Sequence, residues 1–216
     1  MRYAHYAGRE TVLEMLHAFV IKFPKHILDE HLNTIFMHLV LCLANDNDNF
    51  RSMTGAAVKL LIGHVSKNLI PSILEFSLSW YSGGVQLVRS AAAQVLGLLV
   101  EVMGEDFKEE YINHVLQVMT SIFQLAVNVL KNRQLGLSVE ATDCSWTETY
   151  YSLVLLEKIL HQFHGLCLPG HLEDMWETIC ELLVHPHVWL RGVLNRLVAF
   201  YFASVTQANR ATKRSH

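Results

Sequence analysis

Residues 88–99 read Val-Arg-Ser-Ala-Ala-Ala-Gln-Val-Leu-Gly-Leu-Leu, and this short stretch carries most of the information about the fold. An arginine precedes a patch of three alanines, and apolar residues then follow at a spacing that places them on one face of an α-helix. The small alanine side chains allow another helix to approach closely. The stretch therefore predicts a helix that packs tightly against its neighbours.

The same pattern recurs along the chain, each time after an arginine. Apolar or small residues follow at offsets of 3, 7, 10 and 11 from four arginines: Arg9, Arg51, Arg89 and Arg191. These arginines are separated by 42, 38 and 102 residues, and the last interval has room for one more repeat and a long loop. A helix pair that repeats every 40–47 residues or so is typical of HEAT and armadillo arrays. Residues 88–99 also resemble the second helix of a HEAT repeat.

The predicted fold is therefore all-α, a single α-solenoid segment over residues 1–216 with about four to five helix pairs. The predicted helices cover residues 9–22, 26–44, 49–66, 69–80, 85–103, 108–131, 146–163, 171–184 and 188–205. Prolines near predicted helix starts agree with this reading, because the first turn of a helix tolerates a missing N–H. The longest break, 132–145, predicts a loop insertion, and 206–216 predicts a basic tail.

Composition excludes several classes of protein. Of the 216 residues, 51% are hydrophobic and 17% are charged, which is too apolar for a disordered chain. The net charge of −3 provides no global basic field for nucleic acid. Four cysteines without a CxxC pair indicate reduced thiols in an intracellular protein. The amino-terminal residues lack the apolar core of a signal peptide, and the apolar runs are short, so we expect a soluble protein.

A metal site is the first chemical alternative. The side chains that suggest it are His161, His164, Cys167 and His171. A structural zinc site needs four well-placed ligands, and here a helix end and Gly165 interrupt the spacing. The sequence favours histidines on an amphipathic helix end over a metal site. For His185-Pro186-His187 it favours a turn between two helices over a pair of ligands.

Catalytic motifs are the second alternative. Di-iron hydroxylases with a HEAT-like architecture resemble one another in paired His-Glu dipeptides, and this sequence has none. It also lacks a Walker-type loop, a G-x-G-x-x-G and a G-x-S-x-G. Cys144 is a candidate reactive thiol, but the sequence supplies no partner base. We therefore expect no enzyme activity, no metal and no cofactor.

Charged residues leave two further readings open. The repeat arginines either bind phosphate or form a structural ladder, in which Asp46 or Asp48 pairs with Arg51, and the structural role is favoured. Residues 101–110 carry five acids and one lysine, whereas 191–216 carry five basic residues and no acid. The last three of these basic residues are candidate RNA contacts, although a solvated helix end or tail is the simpler explanation: Arg210, Lys213 and Arg214.

A narrower resemblance covers most of residues 9–203. The stretches 9–16, 43–49, 51–57, 78–81, 91–101, 185–191 and 196–202 resemble a segment of the small-subunit processome component 20 family, also called the down-regulated-in-metastasis family. Members are very long nucleolar α-solenoids that wrap the early pre-ribosome. The resemblance implies a nucleolar scaffold segment that binds processome proteins and pre-ribosomal RNA.

Two alternatives remain at this point, an importin-like transport adaptor and a metal-dependent enzyme on a HEAT-like frame. Both ends of the array also carry apolar residues where a capping repeat would be polar: Leu13, Leu16 and Phe19 at one end, and Leu197, Phe200 and Phe202 at the other. We expect these residues to expose apolar patches, as in a fragment of a longer array.

Overall fold

The computed structural model describes residues 6–44, 47–136, 146–167 and 172–214. Within these ranges every regular element is helical, which confirms the all-α prediction. The α-helices, numbered in chain order, are α1 Tyr6–Lys22, α2 Lys25–Glu30, α3 Leu32–Leu43, α4 Asp48–His64, α5 Ile70–Gly83, α6 Gln86–Met103, α7 Glu109–Gln134, α8 Trp146–Gln162, α9 Glu173–Leu182 and α10 Val188–Arg214. Short 3₁₀ segments lie at Lys67–Leu69, Gly104–Asp106 and His164–Cys167.

The first of two compact units is Met1–Gly104. In it α3 packs against α4, α5 packs against α6, and α4 also contacts α1 and α6. The three arginine-bearing helices of this unit, α1, α4 and α6, are thus in contact one after another. Phe50 and Tyr81 are among its largest fully buried side chains. The contacts between successive arginine-bearing helices are what a repeat of about 40 residues predicts.

The most apolar helix of this unit is α6. With its 3₁₀ extension, Gln86–Asp106 is long and apolar enough to cross a bilayer by length and composition alone. Half of its most apolar window is buried inside the protein, and most residues between Ser90 and Val100 are buried. Burial, and not composition, therefore favours a core role for α6.

The second unit is Glu105–His216. Here α7 packs against α8 and α9, and α8 packs against α10. The long interval between Arg89 and Arg191 contains α8, in which Thr149 lies three residues after the helix start, as the arginines do in their helices. The residues at offsets 3, 7, 10 and 11 from Thr149 are all fully buried: Ser152, Leu156, Ile159 and Leu160.

Several predicted boundaries are wrong. The predicted helix 26–44 breaks at His31, where φ −101° and ψ 8° leave the helical region. The break separates α2, whose Asp29 side chain bonds to the turn after α4, from α3, which packs on α4 itself. The helix α7 continues to Gln134, past the predicted start of the loop, and residues 137–145 lie outside the described residues. The helix predicted for 188–205 continues to Arg214, so the basic residues at 210–214 belong to the end of α10.

Burial of the repeat stripe depends on the position of the helix. In α4 and α6 the residues at all four offsets are buried, whereas in α1 and α10 some are exposed. Leu13 and Leu197 are 2% and 0% exposed, so the expectation that they would form exposed patches is wrong. Phe19 and Phe202 are 37% and 63% exposed, as expected for those two residues.

Candidate functional site: an aromatic cavity before α10

Three of the repeat arginines bond to groups at the start of their own helix or in the turn before it. The Arg51 guanidinium donates to the Asp48 carboxylate, one of the two acids considered from the sequence, while Asp46 lies outside the described residues. Arg89 Nη1 donates to the carbonyl oxygen of Gly84 at 2.9 Å. Arg191 Nη1 donates to two carbonyl oxygens of the turn before α10, at 2.7 and 2.8 Å. These bonds place negative groups beside cations that lie at helix N-termini, where the helix dipole disfavours them. The side chain of Arg9 lies outside the described residues.

The histidines and the cysteine of the metal alternative pack as core and boundary residues. His161 and His164 contact the Phe200 ring, with centroid distances of 4.2 and 5.7 Å. Cys167 is 1% exposed, and burial raises the pKa of its thiol, so the less nucleophilic protonated form is favoured. His171 lies outside the described residues. The described residues bring together no cluster of three or more potential metal ligands.

Other candidates cannot be placed. Cys144 lies outside the described residues, and so do the side chains of Arg210, Lys213 and Arg214, although their backbone belongs to α10.

A cavity of about 280 Å³ lies in the second unit, where the end of α7, the start of α8 and the turn before α10 meet. Its lining combines apolar side chains with one arginine and two histidines: Ala126, Val129, Arg133, Trp146, Thr149, His185, Pro186 and His187. No carboxylate is among these lining residues. The cavity therefore suits a ligand that is neutral or negatively charged.

Aromatic rings form one wall of the cavity and continue beyond it. Trp146 stacks on His187 with a centroid distance of 3.8 Å and an interplanar angle of 14°. Trp189 meets Trp146 edge to face at 5.5 Å, and Tyr150 contacts both tryptophans. Trp189 remains 46% exposed. We call Trp146, Tyr150, His187 and Trp189 the aromatic cluster.

The two histidines of the cavity differ in their hydrogen bonds. His185 Nδ1 accepts a hydrogen bond from the backbone N–H of His187 at 3.1 Å. Burial lowers the pKa of His185, and the charges of His187, Arg133 and Arg191 lower it further, so the ring is neutral at pH 7. His187 Nδ1 is buried and has no hydrogen-bond partner in the part of the chain that the structure describes. A buried nitrogen of this kind is costly unless a ligand or water pairs with it.

The structure has a turn at 185–187, as predicted. The cavity that this turn lines was not predicted from the sequence. Trp146 and His187 are far apart in the chain, and no local pattern pairs them. The only available signal was the density of aromatic and histidine residues around 146–151 and 185–189.

In its described residues this is an all-helical protein with an aromatic cavity in the second unit. No family model matches the chain. It is 28% identical over 213 residues to the U3 small nucleolar RNA-associated protein 20 of Schizosaccharomyces pombe. The alignment covers 97% of this chain but 8% of that protein, so the chain spans a small part of its relative's length.

Proposed function

We propose that this chain is a non-catalytic scaffold segment of small-subunit ribosome biogenesis, related to the small-subunit processome component 20 family. The observation that carries the proposal is the similarity to a small nucleolar RNA-associated protein along 97% of the chain. An alignment that covers nearly the whole chain supports a shared architecture along its length.

The packing of the helices supports a scaffold. In α4, α6 and α8, neighbouring helices bury the apolar stripe that one helix pair leaves uncovered, which is how solenoid repeats pack. We propose that the helix pairs form a HEAT-like solenoid, which would offer an extended surface to partners. Those partners are processome proteins and pre-ribosomal RNA, and the corresponding location is the nucleolus. Absence of enzyme activity is part of the same proposal.

Affinity purification after crosslinking tests this function. A tagged chain is expressed in its host cells, crosslinked, purified under denaturing conditions, and its bound RNA is sequenced. We expect enrichment of the precursor of small-subunit ribosomal RNA, together with processome proteins in a parallel native purification. Recovery of the small Ran GTPase and basic cargo without ribosomal precursors would instead identify a transport adaptor. About one equivalent of zinc or iron retained after dialysis would contradict the non-catalytic proposal.

A further inference from the structure

We propose that the cavity before α10 binds an unpaired nucleobase of single-stranded RNA, with Arg133 contacting an adjacent phosphate. This inference rests on the proposed function only in taking RNA as a partner of the chain. The position of the site follows from the contacts among α7, α8 and the turn before α10.

Stacking is the first part of the argument. Proteins that hold single-stranded RNA combine a cationic groove with aromatic side chains on which the bases stack. The aromatic cluster provides such a surface, because Trp189 is 46% exposed and touches Trp146 on the cavity wall. A volume of about 280 Å³ lies at the lower end of small-ligand sites, so it suits one base and not a folded RNA element.

Hydrogen bonding and charge are the second part. The buried Nδ1 of His187 has no partner among the described residues, and a polar edge of a base supplies one. Arg133 is exposed and lines the same cavity, so its guanidinium gives the cavity a positive charge. A nucleotide thus uses three features at once: its base meets the rings and the histidine, and its phosphate meets the arginine.

A peptide partner uses fewer of these features. An acidic side chain would pair with Arg133 but would leave the aromatic faces uncovered. A proline or aromatic side chain would cover the rings but would leave the His187 nitrogen and the arginine charge unsatisfied. Because one nucleotide satisfies all three, RNA is the partner that the geometry favours.

Binding of a fluorescein-labelled, short single-stranded RNA to the 216-residue chain, followed by anisotropy, tests the site. Trp189→Ala removes one stacking surface and is expected to weaken binding by about fivefold or more. Arg133→Gln should weaken binding and reduce the slope of log affinity against log salt by about 0.7, the value for one phosphate contact on a single strand. Circular dichroism checks that both variants keep the wild-type helical content.

Two matched controls accompany these variants. Phe202→Ala removes an aromatic side chain that is 63% exposed on the same helix as Trp189. Lys22→Gln removes one exposed positive charge from the other unit, as Arg133→Gln does at the site. Both controls should bind RNA within about twofold of the wild type, since neither residue lines the cavity or belongs to the aromatic cluster that includes Trp189.

The outcomes separate this inference from the proposed function. If Trp189→Ala and Arg133→Gln bind RNA as tightly as the controls do, the site is wrong. If an acidic peptide binds at the cavity and RNA does not, the site belongs to a protein partner and the RNA assignment fails. Failure of the proposed function has a different signature: ribosomal precursor RNA would be absent from purifications of the wild-type chain from cells.

Discussion

Arg196 and Glu157 form a two-point ion pair that joins α10 to α8. Arg196 Nε donates to Glu157 Oε1 at 2.8 Å, and Nη2 donates to Oε2 at 2.9 Å. The hydrogen bonds to Glu157 raise the pKa of Arg196. Such paired contacts between an arginine and a carboxylate are stronger than single ones and also fix the relative orientation of the two groups.

A double-mutant cycle measures what this pair contributes to stability. The side chains of Arg196 and Glu157 are 57% and 18% exposed, so solvent screens part of the attraction. We expect Arg196→Met and Glu157→Gln to show a coupling of about 0.5–1 kcal/mol in the free energy of unfolding by urea. The single contact of Lys131 with Glu181, at 2.6 Å, is a matched control and should give a smaller coupling. Equal coupling energies in both pairs would show that the two-point geometry adds nothing to the free energy of unfolding.

Gly84 ends α5 in a turn that has no room for a side chain. A Cβ at this position would collide with the carbonyl oxygen of Trp80 and press on Val88. We expect Gly84→Ala to lower the free energy of unfolding by about 1–3 kcal/mol, because the backbone of the turn must shift.

The neighbouring Gly83 is the control for this substitution. A Cβ on Gly83 would meet nothing within 4 Å, and the residue lies in the last turn of α5. Gly83→Ala should therefore be neutral or stabilise the protein by up to about 1 kcal/mol. Chemical denaturation of both variants makes the comparison, and equal losses at the two positions would contradict the steric argument.

Asp29 connects α2 to the turn that follows α4, and this contact should make stability depend on pH. Its carboxylate accepts hydrogen bonds from Ser66 N at 2.9 Å and Ser66 Oγ at 2.5 Å. The Oγ bond, followed by the backbone bond, lowers the pKa of Asp29. The stabilisation is therefore present above the usual aspartate pKa of about 3.9 and is lost as pH falls through the lower folded value.

We expect Asp29→Asn to lower Tm near pH 7, and the difference from the wild type to shrink as the pH falls below about 4. Thermal unfolding followed by circular dichroism over this pH range makes the measurement. Glu30→Gln, on the same short helix and exposed, should show no such pH-dependent difference. A Tm difference for Asp29→Asn that stays constant to pH 2 would exclude the carboxylate as its origin.

Leu96 and Leu16 occupy the same position in the repeat but differ in burial. Leu96 in α6 is fully buried, whereas Leu16 in α1 is only partly covered. Leu96→Ala should reduce the free energy of unfolding by about 2–5 kcal/mol through lost contacts and a cavity. Leu16→Ala should cost about 1 kcal/mol. Urea denaturation measures the free energy of unfolding of both variants. Similar losses of stability would contradict the expectation that Leu96 in α6 contributes more than Leu16 in α1.

Apolar residues on α1 and just after it should cause self-association. Met15, Phe19 and Phe23 follow one another at intervals of four, are 46%, 37% and 44% exposed, and the two phenylalanine rings stack at 4.8 Å. We expect the molar mass measured by light scattering to rise with protein concentration. The double variant Phe19→Ser and Phe23→Ser should reduce this rise, whereas Phe76→Ser, also at an exposed phenylalanine, should reduce it less. A monodisperse wild-type monomer at high concentration would contradict the prediction.

Much of the local structure could be predicted because its causes are local. The apolar spacing after Arg51 and Arg89 predicted two helices whose stripes are buried, and prolines and glycines marked the turns. The break at His31 was missed, since the apolar pattern continues across it. The alignment on arginines could not include α8, because Thr149 stands where the other aligned helices carry arginine.

By itself the sequence determined that the described elements are helices and which face of each helix is apolar, because side-chain periodicity along a helix depends only on neighbouring residues. The tertiary structure alone decided that Trp146 stacks on His187 beside Arg133. Those residues come from three elements, and their meeting depends on how α7, α8 and the turn before α10 pack together. No spacing within one element can encode a contact between helices, so the cavity became visible only once the chain was folded.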